Sequence, residues 1–167
     1  MGLRLGRCRT RRDHFFSYAS LASLTPKDER SPWELKLACF KGEDLMGTCS
    51  LRRIIRGEQV LYDTGSYLFR EFQGQGYGRL MRRMLLHLAF EGFGLKEVES
   101  AAQPLNRASV ELSRSLGYHM AGHTDDAHEC WVINAQAWAQ HARDDDPQIM
   151  MTGVEGLAEQ LHCPSAP

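Results

Sequence analysis

The sequence predicts a mixed α/β (α+β) domain, a mostly antiparallel central sheet flanked by helices, and three observations carry that prediction. Residues 34–69 hold three runs with strand character, separated by turns at Lys41-Gly42-Glu43-Asp44 and Gly57-Glu58. From Arg79 the apolar spacing becomes helical, with Leu80, Met81, Met84, Leu85 and Leu88 on one face. A short strand, a second helix and two more strands then fill 96–138.

Taken in order, Arg4, Arg7, Arg9, Arg11 and Arg12 precede the first acid, Asp13. Such a run reads either as a basic arm or presequence or as a first strand with a solvated basic face, and the strand, over 3–8, is preferred. Phe15, Phe16, Tyr18, Leu21 and Leu24 predict a short helix over 13–24, closed by Pro26. Strands follow at 34–40, 45–55 and 60–69. In the helix that begins at Arg79, Arg82, Arg83 and Glu91 fall away from the apolar face, and Gly92 and Gly94 end it. Residues 96–102 form a strand, Pro104 and Asn106 open a helix that runs through Leu116, and Gly117 stops it. The last two strands occupy 118–138. We expect one domain over 1–141 and a tail over 142–167, with an acidic break at 143–147 and a short helix carrying Val154, Leu157 and Leu161.

The 167 residues, 43% apolar and 25% charged, suit one soluble globular domain that needs no metal or disulfide staple. A formal net charge of -1 offers nucleic acid or anionic lipid no general attraction, so neither is expected as a partner. The 5 cysteines are scattered and include no CxxC pair, which predicts reduced, mostly buried thiols. No apolar run is long enough to span a bilayer and no secretory signal is visible, so a cytoplasmic protein is expected.

The segment that carries chemistry is Gln73-Gly74-Gln75-Gly76-Tyr77-Gly78, placed between a strand and a helix. Glycines at alternate positions let successive backbone N–H groups approach an anion, and the helix N-terminus adds its positive dipole end. The spacing is neither the GxGxxG of dinucleotide sites nor the GxxxxGK of triphosphate loops.

This segment resembles the Arg/Gln-x-x-Gly-x-Gly/Ala signature of the GNAT N-acetyltransferases. Asn106-Arg107-Ala108-Ser109 and Leu116-Gly117-Tyr118 are similar to the family's second cofactor motif. Asp63-Thr64-Gly65 resembles the Glu-x-Gly of the ribosomal-protein N-terminal acetyltransferase-like branch. The resemblance covers 33–138. It implies the GNAT fold, whose splayed strand pair forms the acyl-coenzyme A cleft, with acetyl-coenzyme A as acyl donor. It implies cofactor contacts from Leu68, Phe69, Arg70, Gln73, Gly74, Gln75, Gly76, Tyr77, Gly78, Arg79, Asn106 and Ser109, and an oxyanion-binding N–H near 68–70.

A protonated amine cannot attack a thioester, so a base is needed, and Asp63 is the first candidate; the other reading is a carboxylate that only holds the ammonium. The family often places a proton-donating tyrosine where this chain has Ser113, so the general acid stays open among Ser113, Ser109, Tyr118 and water. Seven histidines show no HxxxH or HExxH spacing, and no metal is expected; His119, His123 and His128 read as a wet turn. The implied activity is acetylation of a primary amine on a small molecule or a protein N-terminus; the alternative is an acyl-coenzyme A-binding module without turnover. The segment before Trp33 is short for this branch, which leaves the acceptor pocket either open or completed by a second copy in a homodimer.

Overall fold

A computed structural model describes residues 7–10, 14–20, 26–124, 126–141, 149–152 and 154–164. The strands are β1 (Arg7–Thr10), β2 (His14–Ser20), β3 (Trp33–Lys41), β4 (Asp44–Arg56), β5 (Gln59–Leu68), β6 (Glu97–Ala102), β7 (His119–His123), β8 (Glu129–Asn134) and β9 (Ile149–Thr152). The helices are α1 (Tyr77–His87), α2 (Arg107–Ser115), α3 (Ala135–Gln140) and α4 (Glu155–Gln160). One sheet runs β7-β8-β6-β5-β4-β3-β2-β1-β9. All neighbours pair antiparallel except β5 and β6.

Three elements differ from the sequence reading. Residues 14–20 form a strand, not a helix, because they pair along β3 from His14↔Lys41 to Ser20↔Lys36. The aromatic spacing of Phe15, Phe16 and Tyr18 suits either period, and tertiary pairing decides it. Trp138 lies in α3, not in the last strand: Asn134 ends β8 and caps α3 by accepting from the Ala137 N–H at 2.8 Å. Beyond the acidic break the chain adds β9 to the edge of β1 before α4. The first strand is found at Arg7–Thr10; the part of the expected strand at 3–6 lies outside the described residues.

Cross-strand register assigns the two faces of the sheet. Leu35, Leu37, Cys49, Leu51, Val98, Trp131 and Ile133 point to one face and are buried. That face carries the core, to which Met81, Leu85, Phe90, Phe93, Trp138, Val154, Leu157 and Leu161 contribute from the helices and the turns that flank them. Cys39 and Cys49 are free and buried with sulfurs 3.7 Å apart, and burial pushes the Cys163 thiol up to about 12.

Arg82 and Arg83, read from the sequence as solvent-facing, are only 3% and 5% exposed. Each lies over an aromatic ring, Arg82 over Tyr118 at 5.6 Å and Arg83 over Trp138 at 4.7 Å. Their long apolar stems and flat cations are what a helical-wheel reading misplaces.

A third buried arginine ties the segment before β3 and the residues after α4 to the sheet. Arg53, on β4, is 1% exposed and stacks on Trp33. It donates to three carbonyls, Ser31 O at 2.7 Å, Asp28 O at 2.8 Å and His162 O at 3.1 Å. Replacing it orphans all three acceptors, so Arg53→Met is expected to lower stability by about 3 kcal/mol or more, read from urea denaturation.

Candidate active site

The site is built on the one parallel pairing among the described strands. β5 and β6 meet at Asp63↔Glu99, where Thr64 Oγ1 also donates to Glu99 O at 3.0 Å. Beyond that point β5 keeps pairing with β4 out to Gly47↔Leu68, while β6 pairs with β8. The two strands therefore part, and a gap opens between them.

The phase of the β4–β5 ladder says which amides face this gap. Phe69 N–H donates to Met46 O at 2.8 Å, so odd-numbered residues of β5 turn their N–H toward β4. The alternate amides, Ser66 and Leu68, point toward the gap. Of the N–H groups expected near 68–70, that of Phe69 is already spent on β4, and Ser66 joins Leu68 as an available donor.

The open end of the gap leads to the glycine loop. Leu68 is followed by a 3₁₀ turn at Arg70–Phe72, and Gln73 Nε2 returns to donate to Leu68 O at 2.9 Å. Gly74 and Gly76 have φ of +72° and +84°, values side chains resist, and Gly76 is the N-cap of α1. The first intrahelical bond is Leu80 N–H to Gly76 O, which leaves the N–H groups of 77–79 without helical acceptors, and the first turn holds no acid. Lys41 Nζ lies 5.1 Å from the Tyr77 ring centre, and a hydrogen bond with Tyr77 is the main cause that raises its pKa. The sequence reading missed this cation, since only the turn of the β3–β4 hairpin brings it to the loop.

α2 lies against the same helix. Arg79 donates to Ser115 O at 3.1 Å and Ser115 Oγ at 2.8 Å. Asn106 caps α2 by accepting from Ser109 N–H at 3.2 Å. Ser113 is 1% exposed and its hydroxyl finds no partner among the described residues.

On the opposite face of the sheet lies a groove of ≈ 490 Å³, lined in part by Glu34, Lys36, Ser50, Arg52, Gly65 and Tyr67. Asp63, 6% exposed, lies beside it in an ion pair with Arg52. One carboxylate oxygen is thus taken by Arg52. His119 and His123 are exposed on β7, and among the described residues no three His, Cys, Asp or Glu side chains converge as a metal site.

Residues 7–119 match the family described as the acetyltransferase (GNAT) domain. The chain belongs to the GNAT acetyltransferase domain family. A curated relative of this GNAT chain, "Probable N-acetyltransferase YjcK" of Bacillus subtilis (strain 168), is 31% identical over 98 residues, 58% of this chain and 52% of the relative. The chain thus spans about half the length of that relative. Among solved structures, the ribosomal-protein-S5-alanine acetyltransferase of Vibrio fischeri superposes with a TM-score of 0.56 at 20% identity, covering 63% of each chain. The aminoglycoside acetyltransferase AAC(6')-Ib in complex with coenzyme A does so with a TM-score of 0.56 at 16% identity, covering 64% of this chain and 69% of that one. These likenesses show the GNAT fold.

The outer rim of the gap depends on close backbone approach at Gly47, where a Cβ would overlap the Tyr67 carbonyl oxygen. Gly47→Ala is therefore expected to cost about 1–3 kcal/mol by forcing β4 from β5. Gly42→Ala, whose Cβ meets nothing although its φ is +58°, should cost less, about 1 kcal/mol. Parallel urea titrations check the ranking.

Proposed function

We propose that this domain transfers an acetyl group from acetyl-coenzyme A to a primary amine of a small molecule or a peptide N-terminus. The observation that carries the reading is the continuity of the β5–β6 gap with the amides at the start of α1. A pantetheine arm laid in the gap would add a strand along β5, meeting the Ser66 and Leu68 N–H groups. Its pyrophosphate would then reach the loop at 74–79, with Lys41 beside it. One of the gap-facing amides is suited to hold the oxyanion that forms on the thioester carbonyl. Asn106 Oδ1 is engaged in capping α2, and its amide nitrogen is left for a pantetheine carbonyl.

The acceptor fits the polar groove on the other face, with the carboxylate of Asp63 as the group that receives the ammonium or its proton. Release of coenzyme A across a panel of amines and peptides tests the reading. Binding of acetyl-coenzyme A with no release on any acceptor would favour the module without turnover.

Gly76→Val forces a β-branched residue into the left-handed region at the N-cap and crowds the space a pyrophosphate needs. Calorimetry should show coenzyme A affinity reduced about tenfold or more, a loss of about 1.4 kcal/mol, with ATP binding to neither protein.

Asp63→Asn should lower turnover by about two to four powers of ten while the donor still binds, if Asp63 removes the acceptor proton. The defect should shrink as pH rises, because solution then supplies more of the amine in its neutral form. A raised acceptor Michaelis constant at unchanged maximal rate would assign Asp63 to ammonium binding alone.

A further inference from the structure

The fork between β5 and β6 holds a charge that the reading above does not use. Arg82, 3% exposed, reaches from α1 into the fork and donates through one terminal nitrogen to Ser66 Oγ and through the other to Ser100 Oγ, both at 3.3 Å. Ser66 is on β5, three residues past the ladder pair that joins the strands, and Ser100 is on β6, one residue past it. The guanidinium thus spans the two strands where they separate. None of the ion pairs among the described residues includes Arg82. Among the described residues its Nε has no hydrogen-bond partner, nor has the hydroxyl of Tyr118, whose ring it faces.

Burying a cation without a counter-ion is expensive, and two long hydrogen bonds to neutral hydroxyls offset little of that cost. An anion at the fork would offset it. Ser66 gives the cation a way to reach one: its residue is exposed and is among those lining the ≈ 490 Å³ groove, the ladder phase turns its N–H away from β4, and its oxygen accepts from Arg82. Accepting a charge-assisted bond polarises the hydroxyl and strengthens it as a donor.

We propose that Ser66 and Arg82 stabilise the thiolate of coenzyme A as it leaves, with Ser66 as the catalytic donor to sulfur and Arg82 as the positioning cation behind it. This rests on the transferase reading. The neutral amine nitrogen attacks the thioester carbon, the C–N bond forms, and the carbonyl electron pair moves to oxygen. The amine proton leaves to Asp63 or water. When the tetrahedral centre collapses, the C–S bond breaks with its electron pair on sulfur, and the Ser66 hydroxyl donates a hydrogen bond to that thiolate while accepting one from Arg82. Solvent protonates the sulfur after release. The step needs no tyrosine at position 113, where this chain has a serine buried away from solvent.

The other titratable and charged groups near the cation do not compete for this role. Cys49 on β4 feels the charge of Arg82, and burial is the main cause that raises its pKa, so it stays a neutral thiol. Asp63 and Glu99 belong to the opposite face of the sheet, paired with Arg52 and Arg56. Arg79 is engaged with Ser115, and Arg83 lies over Trp138.

The test is a titration of coenzyme A bound to the full chain, followed by the ultraviolet absorbance of the thiolate. The wild-type complex should show a thiol pKa lower than that of free coenzyme A by about one unit or more. Ser66→Ala and Arg82→Gln should return it toward the free value with coenzyme A still bound, and Arg82→Lys should retain part of the shift. If Arg82→Gln fails to fold, Ser66→Ala at its exposed position decides alone. A bound thiol that titrates like free coenzyme A, or a lowered pKa that survives Ser66→Ala, overturns the assignment. Failure of coenzyme A to bind the wild type at all would overturn the transferase reading, and this assignment with it.

Discussion

The structure depends on one constraint: among the described residues β5 and β6 share a single ladder pair, Asp63↔Glu99, and then belong to different partners. A parallel pair joined by a helical crossover is ordinarily zipped by evenly spaced hydrogen bonds. Here the ten-residue ladder of β5 on β4 and the six-residue ladder of β6 on β8 hold each strand to its outer neighbour. The sheet divides between them without losing either half. Backbone donors left along the inner edge of β5 are the consequence, and in water such an edge invites another extended chain.

Two buried arginines show how differently the fold treats internal charge. Arg53 is satisfied by three carbonyls and binds the segment before β3 and the end of the chain to the sheet. Arg82 is under-satisfied by two hydroxyls at the fork. The first has the geometry of a strut. The second has the geometry of a site waiting for an acceptor, because preorganised donors gain most where charge appears during reaction.

The glycine loop, the helical period of α1, the three strands of 33–68 and the Asn106 cap were legible in the sequence, since each rests on local chemistry. Gly76 needs positive φ, and Asn106 needs only its neighbour Ser109 to cap. What was not legible depends on long-range pairing. Residues 14–20 are a strand because β3 lies beside them, and β9 exists because β1 has a free edge. Ser66 escaped notice for a similar reason: its significance comes from ladder phase and from Arg82, sixteen residues away in sequence. A helical wheel scores charge as outward and so puts Arg82 in solvent, although Tyr118 and two serines give it an interior place. Asn134 followed by Ala135-Gln136-Ala137 was the signal for α3, a cap before good helix formers inside what otherwise read as a strand.

The two faces of the divided sheet lead to a division of labour in the proposed reaction. The helical face brings the loop amides, Lys41 and Arg82 toward the donor, all groups that favour negative charge. The other face offers a groove floored by strands whose cations and anions are already paired, Lys36 with Glu34 and Arg52 with Asp63. An acceptor amine that enters there must exchange into an existing ion-pair network, so its affinity depends on matching that charge pattern as well as on buried area. Exposed pairs such as Lys36–Glu34 are worth little and yield easily, whereas the nearly buried carboxylate of Asp63 holds its place. On the proposed reaction, discrimination among amines would then fall to the inner pair, next to the point where β5 turns from β6 and the thioester carbon would lie.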